Sequence, residues 1–246
     1  SLKVCIILLI KKKGWSIMDI EIEKMNRQEV LKYLSYRGSE IPIEINNLID
    51  ECIKEVIEIS NPKYIYQIFN IDRREDKVFL ENSNFELQGG DIKQLLENSS
   101  SCILLAATLG IRIEQVIRTL QIRNLAKSII MDSCASSAVE SICNQITENI
   151  RSSIEKKGKY TTDRFSPGYG DLPIEIQKDF IEVLDARRKI GINLSSSGIM
   201  IPRKSVTAII GISEKMEKKR FTGCENCNMF MDCEYRKFGN FCKKVF

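Results

Sequence analysis

Histidine is absent from this 246-residue chain, and proline and tryptophan are scarce, with five and one residues. The lack of histidine removes the side chain that most often serves as a general base or a metal ligand near neutral pH. A strong excess of charge is also lacking, because 37 basic residues stand against 33 acidic ones for a net charge of +4. Such a balanced chain offers no electrostatic reason to expect nucleic acid or an anionic membrane as a partner.

Long apolar runs are missing as well. The apolar stretch 4–10 is too short to span a bilayer, and no signal-peptide cleavage pattern follows it. We therefore expect a cytoplasmic protein with no membrane partner. In a reducing compartment its nine cysteines are expected to be thiols rather than disulfides.

Apolar periodicity predicts an α+β fold with a mainly antiparallel or mixed sheet. Strands are expected at 64–71 and 77–80 around a charged turn, at 102–107 as a buried strand, and near 190–194 and 204–212. Helices are expected at 26–36 with Asn26 as N-cap and Gly38 at its end, at 45–57, 91–97, 111–120 and 175–184, and at 125–155 with a break near Ser133.

The most distinctive segment is 164–173, which combines two glycines, two prolines, an arginine and a tyrosine. Proline fixes φ, and glycine accepts a positive φ or the close approach of another group, so the segment has a specified irregular shape. Arg164 offers a planar fork for a carboxylate, and Tyr169 offers a flat ring with a hydroxyl. The residues alone leave open whether this is a binding segment or a tight surface connection.

The order of several motifs narrows that choice. Arg164-x-x-Pro167-Gly168-Tyr169 resembles the signature of the activation domain of cobalamin-dependent methionine synthase. The resemblance extends over about residues 100–212, and its other blocks are 138–140, 190–197, Met200-x-Pro202 and 204–210. It implies a free-standing short form of that domain with a curved α+β fold and long helices. A small Cys-rich C-terminal tail follows, which departs from the family pattern.

The resemblance implies that these residues hold S-adenosylmethionine. Arg164 is expected to pair with the methionyl carboxylate and Glu140 with a positive group of the ligand. The rest of the expected binding set lies in the same motif and comprises Phe165, Pro167, Gly168 and Tyr169. Weaker candidates are polar residues elsewhere, namely Asp132, Ser195, Ser196, Ser197 and Ser205.

One departure from the family pattern concerns a second carboxylate. Full-length family members carry a glutamate six residues before the motif arginine, and Gly158 occupies that place here. Asp163 is the nearest acidic residue that could substitute for it.

The resemblance also implies a function without a catalytic acid or base. The chain would be a reactivation subunit of cobalamin-dependent methionine synthase, a methyltransferase of methionine biosynthesis, acting with that enzyme rather than alone. It would support reductive methylation of cob(II)alamin to methylcobalamin, with the cobalamin on a partner chain and flavodoxin or ferredoxin as electron donor. Two alternatives stay open, a regulatory module for another corrinoid protein and an independent methyltransferase, although the latter lacks a glycine-rich βα turn.

Four cysteines near the end of the chain form a compact set, Cys224, Cys227, Cys233 and Cys242. Four thiolates suit an iron–sulfur cluster or tetrahedral zinc, and a metal-free tail is the third alternative. A cluster could itself deliver an electron to oxidised cobalamin. The chain is therefore divided into an N-terminal extension from an upstream start (1–17), the activation-like domain (18–213) and the four-cysteine tail (214–246).

Overall fold

The computed structural model describes residues 16–23, 25–36, 38, 40–75, 77–216, 231 and 237. Its centre is a six-stranded sheet in the order β1-β2-β4-β8-β5, with β3 paired to β2, and every pairing is antiparallel. The strands of this sheet are β1 (Ser16–Asp19), β2 (Lys63–Arg74), β3 (Lys77–Leu80), β4 (Ser99–Thr108), β5 (Tyr160–Thr161) and β8 (Ser205–Ser213). A separate pair is formed by β6 (Asn193–Leu194) and β7 (Met200–Ile201).

Helices cover both faces of the sheet. They are α1 (Arg27–Tyr33), α2 (Ile43–Ile59), α3 (Gly90–Leu95), α4 (Ile111–Arg123), α5 (Leu125–Glu155), α6 (Gln177–Leu184) and α7 (Ala186–Ile190), with a 3₁₀ turn at Ile174–Ile176. One core packs α1, α2, α4 and α5 against one face, and the other packs α3, α6 and α7 against the opposite face. The predicted α+β class with an antiparallel sheet and long helices is confirmed.

The central strand β4 shows why its sequence is a continuous apolar run. Ile103 and Leu105 belong to the α5 core, whereas Leu104 and Ala106 belong to the α6 core. A strand that is covered on both faces needs apolar residues at successive positions rather than at alternate ones. The prediction of a buried strand here is confirmed, and the strand extends several residues beyond the predicted ends.

The helix α5 differs from its prediction in one respect. It runs unbroken for 31 residues, so the predicted break near Ser133 is wrong. The Ser133 hydroxyl donates to the Ile129 carbonyl at 3.0 Å, four residues back in the same helix. This bond satisfies the hydroxyl within the helix and leaves the backbone ladder continuous.

Helix α1 begins where the sequence predicts. The Asn26 side chain accepts a hydrogen bond from the Gln28 amide at 3.0 Å, which confirms this residue as the N-cap. The helix ends at Tyr33, before the predicted end at Gly38, and Ser35 takes the left-handed conformation with φ 52°. Glu29 and Tyr33 therefore lie one turn apart on a short helix that packs against α5.

The region 186–194 is mostly helical rather than extended. Helix α7, which the sequence analysis did not predict, ends at Ile190, the first residue of the predicted strand near 190–194. Within that predicted strand, Asn193–Leu194 pairs as a strand. Ala186 and Ile190, four residues apart, both face the α6 core, and Gly191 ends the helix with φ 75°. A five-residue helix offers too short a pattern to be separated from a strand by periodicity.

The predicted division of the chain concerns its two ends. Ser16 and Ile17, which were assigned to the N-terminal extension, pair with Tyr66 and Ile65 of β2. Most of the tail 214–246, including all four of its cysteines, lies outside the described residues. The boundaries 1–17, 18–213 and 214–246 stay a prediction.

Candidate functional site

The segment 164–173 is attached to the sheet at its first residues. Phe165 and Ile209 exchange backbone hydrogen bonds of 2.9 and 2.7 Å, so the segment extends the edge of β8. The chain then turns, because the Tyr169 amide donates to the Ser166 carbonyl and the Leu172 amide donates to the Tyr169 carbonyl, both at 3.0 Å. Gly168 has φ 89°, which explains the need for glycine at this point of the turn.

Burial alternates along this segment. Phe165, Pro167 and Leu172 are buried beneath the turn, whereas Gly168 is exposed and Tyr169 is 65% exposed. The rings of Phe165 and Tyr169 lie 6.5 Å apart between centroids. The turn therefore carries an outward-facing tyrosine on a buried apolar base, and Phe165 contributes to the base rather than to the exposed surface.

Arg164 turns away from the sheet toward helix α5. Its Nη2 donates to Glu140 Oε2 at 3.1 Å and to Asn144 Oδ1 at 2.8 Å, and these two partners are one turn apart on the helix. The Arg164 side chain is 20% exposed and that of Glu140 is 31% exposed. A partly buried ion pair, together with a second hydrogen bond to an amide, holds the guanidinium in a fixed position.

A second carboxylate, that of Glu29 on helix α1, lies beside the Arg164–Glu140 pair. Glu29 Oε2 accepts a hydrogen bond from the Ser137 hydroxyl at 3.2 Å, one turn before Glu140 on α5. Burial raises the pKa of Glu29, and the negative charge of Glu140 raises it further, more than Ser137 and Arg164 lower it. The two carboxylates are thus close enough to repel each other.

Two tyrosines stand beside these charges. Burial raises the pKa of Tyr33, and the carboxylates of Glu140 and Glu29 add to that effect, as does Tyr169. We call the group formed by Glu29, Tyr33, Glu140, Asn144, Arg164 and Tyr169 the Arg164 cluster. It joins side chains from α1, α5 and the 164–173 turn, which are far apart in sequence.

The charge of the Arg164 cluster follows from its ionised groups. Burial alone lowers the pKa of Arg164, but the neighbouring Cys143 sulfur and the Glu140 carboxylate outweigh it and leave the pKa raised. Burial raises the pKa of the Cys143 thiol to about 12, so this thiol is neutral near pH 7. One guanidinium and two carboxylates remain, and the cluster carries one net negative charge when all three are ionised.

The weaker acidic candidates have partners of their own. Asp132 lies about two helical turns before Glu140 on α5 and pairs with Lys204 at 2.9 Å. Asp163 Oδ1 lies 3.9 Å from Arg151 Nη2. The second carboxylate of the cluster is therefore Glu29, on a different element from the Asp163 that the sequence suggested.

The candidate serines form local hydrogen bonds. Ser195 Oγ lies 2.9 Å from Ser197 Oγ and accepts from the Ile199 amide at 3.1 Å, which stabilises the turn between β6 and β7. Ser205 is buried and donates to the Pro202 carbonyl at 2.7 Å. The metal candidates Cys224, Cys227, Cys233 and Cys242 lie outside the described residues.

Three members of the cluster were not predicted from the sequence, namely Glu29, Tyr33 and Asn144. Asn144 could have been found, because it lies four residues after Glu140 on the same helical face. Glu29 and Tyr33 share that spacing on α1, but nothing in the sequence indicates that α1 packs beside Glu140.

Comparison with known proteins finds one family model and a group of solved structures that are similar to this chain. The sequence model of the family described as "Vitamin B12 dependent methionine synthase, activation domain" matches residues 91–226, more than half of the chain. A crystal structure of the MetH reactivation domain bound to AdoHcy has a similar fold, with a TM-score of 0.65 and 13% sequence identity. That similarity covers 93% of this chain and 87% of the other. No curated protein matches the sequence.

None of the helices in the described part of the chain combines the length and the apolar character needed to cross a membrane.

Proposed function

Since this chain belongs to the family of activation domains of vitamin B12-dependent methionine synthase, we propose that it binds S-adenosylmethionine for the reactivation of that enzyme. The cobalamin is carried by a partner chain, the corrinoid-bearing part of methionine synthase. When bound, S-adenosylmethionine would supply a methyl group. The cob(II)alamin of the partner chain would thereby be reductively methylated to methylcobalamin.

The observation that carries the proposal is the charge of the Arg164 cluster. S-adenosylmethionine has a carboxylate, an ammonium and a sulfonium, and therefore one net positive charge near pH 7. When its one guanidinium and two carboxylates are all ionised, the cluster has one net negative charge. Oppositely charged groups in matching numbers favour binding in a partly buried site, where an unpaired charge is costly.

Each charged residue has a proposed role. Arg164 binds the methionyl carboxylate with its planar fork, while Glu29 and Glu140 face the ammonium and the sulfonium. Arg164 and Glu140 pair with each other at 3.1 Å, and this contact holds both side chains in position.

The nucleoside is proposed to lie against the exposed part of the 164–173 turn. The Tyr169 ring is 65% exposed above Phe165 and offers a flat apolar face for the adenine. Gly168 has φ 89°, a conformation that favours glycine, and as an exposed glycine it adds no side chain to this part of the turn. Pro167 is buried and fixes the turn from below.

The reactivation domain of known structure that has a similar fold was crystallised with AdoHcy. That molecule has the carboxylate, the ammonium and the nucleoside of the proposed donor and lacks only the sulfonium methyl group. Its presence in a protein of the same fold supports a ligand of this class here.

The proposed role of this chain is positioning rather than acid–base chemistry. It holds the donor in a fixed orientation at its surface, where the corrinoid partner can approach, and this reduces the entropy cost of the encounter. Flavodoxin or ferredoxin is the proposed electron donor. The four cysteines of the tail remain proposed ligands of an iron–sulfur cluster or of zinc.

Isothermal titration calorimetry with S-adenosylmethionine tests the proposal. Replacing Arg164 by alanine removes a charge-assisted contact worth about 1.5–3 kcal/mol, so affinity should fall about 10- to 150-fold. The Arg164→Lys variant keeps the charge without the fork and should recover only part of the affinity. Arg188→Ala is the matched control. Arg188 lies on α7, is exposed, and pairs with Asp185, the residue that precedes this helix.

Reactivation itself is tested with a corrinoid methionine synthase that lacks its own activation domain. With reduced flavodoxin and the donor present, the absorbance of cob(II)alamin should convert to that of methylcobalamin only when this chain is added. Wild-type chain that binds no S-adenosylmethionine, or that binds it equally well without Arg164, would contradict the proposal.

The alternative role, a regulatory module for another corrinoid protein, rested on the missing glutamate at Gly158. A second carboxylate is nevertheless present beside Glu140, because Glu29 supplies it from helix α1. We therefore favour the donor-binding role.

A further inference from the structure

Two aspartates outside the Arg164 cluster hold the far end of the 164–173 turn. The Asp171 carboxylate accepts hydrogen bonds from the amides of Gly90 at 2.6 Å and Asp91 at 3.0 Å, at the start of α3. In return, Asp91 Oδ2 accepts from the Asp171 amide at 3.2 Å. These three bonds, which we call the aspartate clasp, join segments about 80 residues apart in sequence.

The clasp takes over the capping of α3. The N-cap residue of this helix is Gly89, which has no side chain to bind the first amides. Asp171 supplies the missing acceptors from a distant part of the chain. A helix start without such acceptors would leave backbone donors unsatisfied.

Two glycines make room for this contact. Gly89 has φ 117°, and a Cβ there would lie 2.5 Å from Asp171 Oδ1. Gly170 has φ 54°, and a Cβ there would overlap Asp91 Oδ2. Because both positions are closed to other residues by sterics and by φ, the close approach is specified by the sequence.

The clasp lies two residues beyond Tyr169. Two backbone hydrogen bonds connect the residues on either side of this stretch. The Leu172 amide donates to the Tyr169 carbonyl at 3.0 Å, and the Gly168 amide donates to the Leu172 carbonyl at 2.9 Å. The turn is thus fixed at one end by the Phe165–Ile209 bonds and at the other by Asp171.

We propose that Asp171, through its clasp with Asp91 and Gly90, is a positioning residue that sets the place of Tyr169 for the nucleoside of the ligand. This inference rests on the proposed function. Asp171 is exposed and acts through the turn, without being part of the Arg164 cluster.

The charges around Asp171 favour its ionised form. The bond from the Gly90 amide is the main reason that the pKa of Asp171 is lowered, and the Asp91 amide and the charge of Lys93 contribute in the same direction. Burial of the carboxylate is the opposing effect. An asparagine at 171 would keep the shape but turn an NH₂ group toward a backbone N–H, so it should lose one of the two bonds.

The test compares Asp171→Ala and Asp171→Asn with Glu182→Gln, an exposed acid on α6 that serves as control. Calorimetry with S-adenosylmethionine should show an affinity about fivefold lower, or lower still, in the alanine variant, which corresponds to the loss of a helix cap. The loss of affinity should be smaller in the asparagine variant. The control should match the wild type.

A second measurement follows Tyr169 directly. The chain has seven tyrosines, and fluorotyrosine labelling with Tyr169→Phe assigns the ¹⁹F signal of Tyr169. In Asp171→Ala that signal should shift or broaden while most others stay unchanged, a result that a general loss of stability would not give. If the alanine variant does not fold, the asparagine variant is used for both measurements.

The outcomes separate the two proposals. A wild-type chain that binds no S-adenosylmethionine would overturn the proposed function. A wild type that binds it, together with a folded Asp171 variant of equal affinity or an unchanged Tyr169 signal, would overturn the role of the clasp alone.

Discussion

Replacing Glu29 by glutamine tests the least expected member of the Arg164 cluster. The change removes one of two negative charges but keeps the side-chain shape and an oxygen that can accept from Ser137. The cluster then becomes neutral, with Arg164 and Glu140 as its remaining charged groups. S-adenosylmethionine, which has a net positive charge, should bind more weakly.

The size of the effect is an order-of-magnitude calculation from Coulomb's law. Two unit charges about 5 Å apart interact by about 3 kcal/mol at an effective dielectric constant of 20. The cluster is partly exposed, so screening reduces this to about 1–2 kcal/mol, or about 5- to 30-fold in affinity. AdoHcy lacks the sulfonium charge and should lose less, so the preference of the chain for the methyl donor over AdoHcy should shrink.

The same variant has an opposite effect on stability. The folded-state pKa of Glu29 is raised, mainly by burial, so the ionised form destabilises the ligand-free fold. The protonated form is favourable below the unfolded-state pKa, and this contribution is lost as the pH rises through the folded-state pKa. Glu29→Gln should therefore raise the Tm at pH 7 and change it little near pH 4.

Calorimetry with both ligands and thermal unfolding at the two pH values measure these effects. Glu58→Gln is the control, an exposed glutamate on α2. The reasoning would be refuted if Glu29→Gln bound the donor as tightly as the wild type and also unfolded at the same temperature at pH 7.

Three further predictions concern the supports of the site. Gly170→Ala should lower the free energy of unfolding by about 1–3 kcal/mol in urea titrations, because φ is positive and the new methyl group meets the Asp91 carboxylate; an unchanged midpoint would contradict this. Asn26→Ala should cost about 1 kcal/mol of stability through the lost cap of α1, and should weaken donor binding because α1 carries Glu29; calorimetry that shows full affinity would argue against that link. Cys143, whose pKa is about 12, should resist iodoacetamide at pH 8 in the native state and react after denaturation, as followed by mass spectrometry; rapid native labelling would refute its burial.

The sequence predicts best where many residues repeat one pattern. The helical spacing of α2 and the apolar run of β4 extend over enough positions to indicate both type and burial, and both are confirmed. Helix α7 has only five residues and is not predicted by its sequence pattern. The break expected near Ser133 does not occur, because the Ser133 hydroxyl forms its hydrogen bond within α5. The position of α7 depends on the packing of Ala186 and Ile190 in the α6 core, a contact that a local pattern does not contain.

The site was predicted in part for a similar reason. Arg164 and Glu140 were chosen separately as partners of a ligand, and the structure brings them within 3.1 Å of each other. Glu29 precedes Glu140 by more than a hundred residues, and on a seven-residue helix it has the pattern of a solvated charge. Only the packing of α1 against α5 shows that the carboxylates of Glu29 and Glu140 lie close to each other.

The attachment of Phe165 to Ile209 has a consequence for the rate and thermodynamics of binding. Ile209 belongs to β8, which is buried beside the central strand, so the turn that starts at Phe165 becomes ordered when the sheet folds. Its conformational entropy is lost at that stage and not when a ligand arrives. S-adenosylmethionine should therefore bind to a preorganised turn. Its binding should show a small heat-capacity change and no slow ordering step before the complex forms.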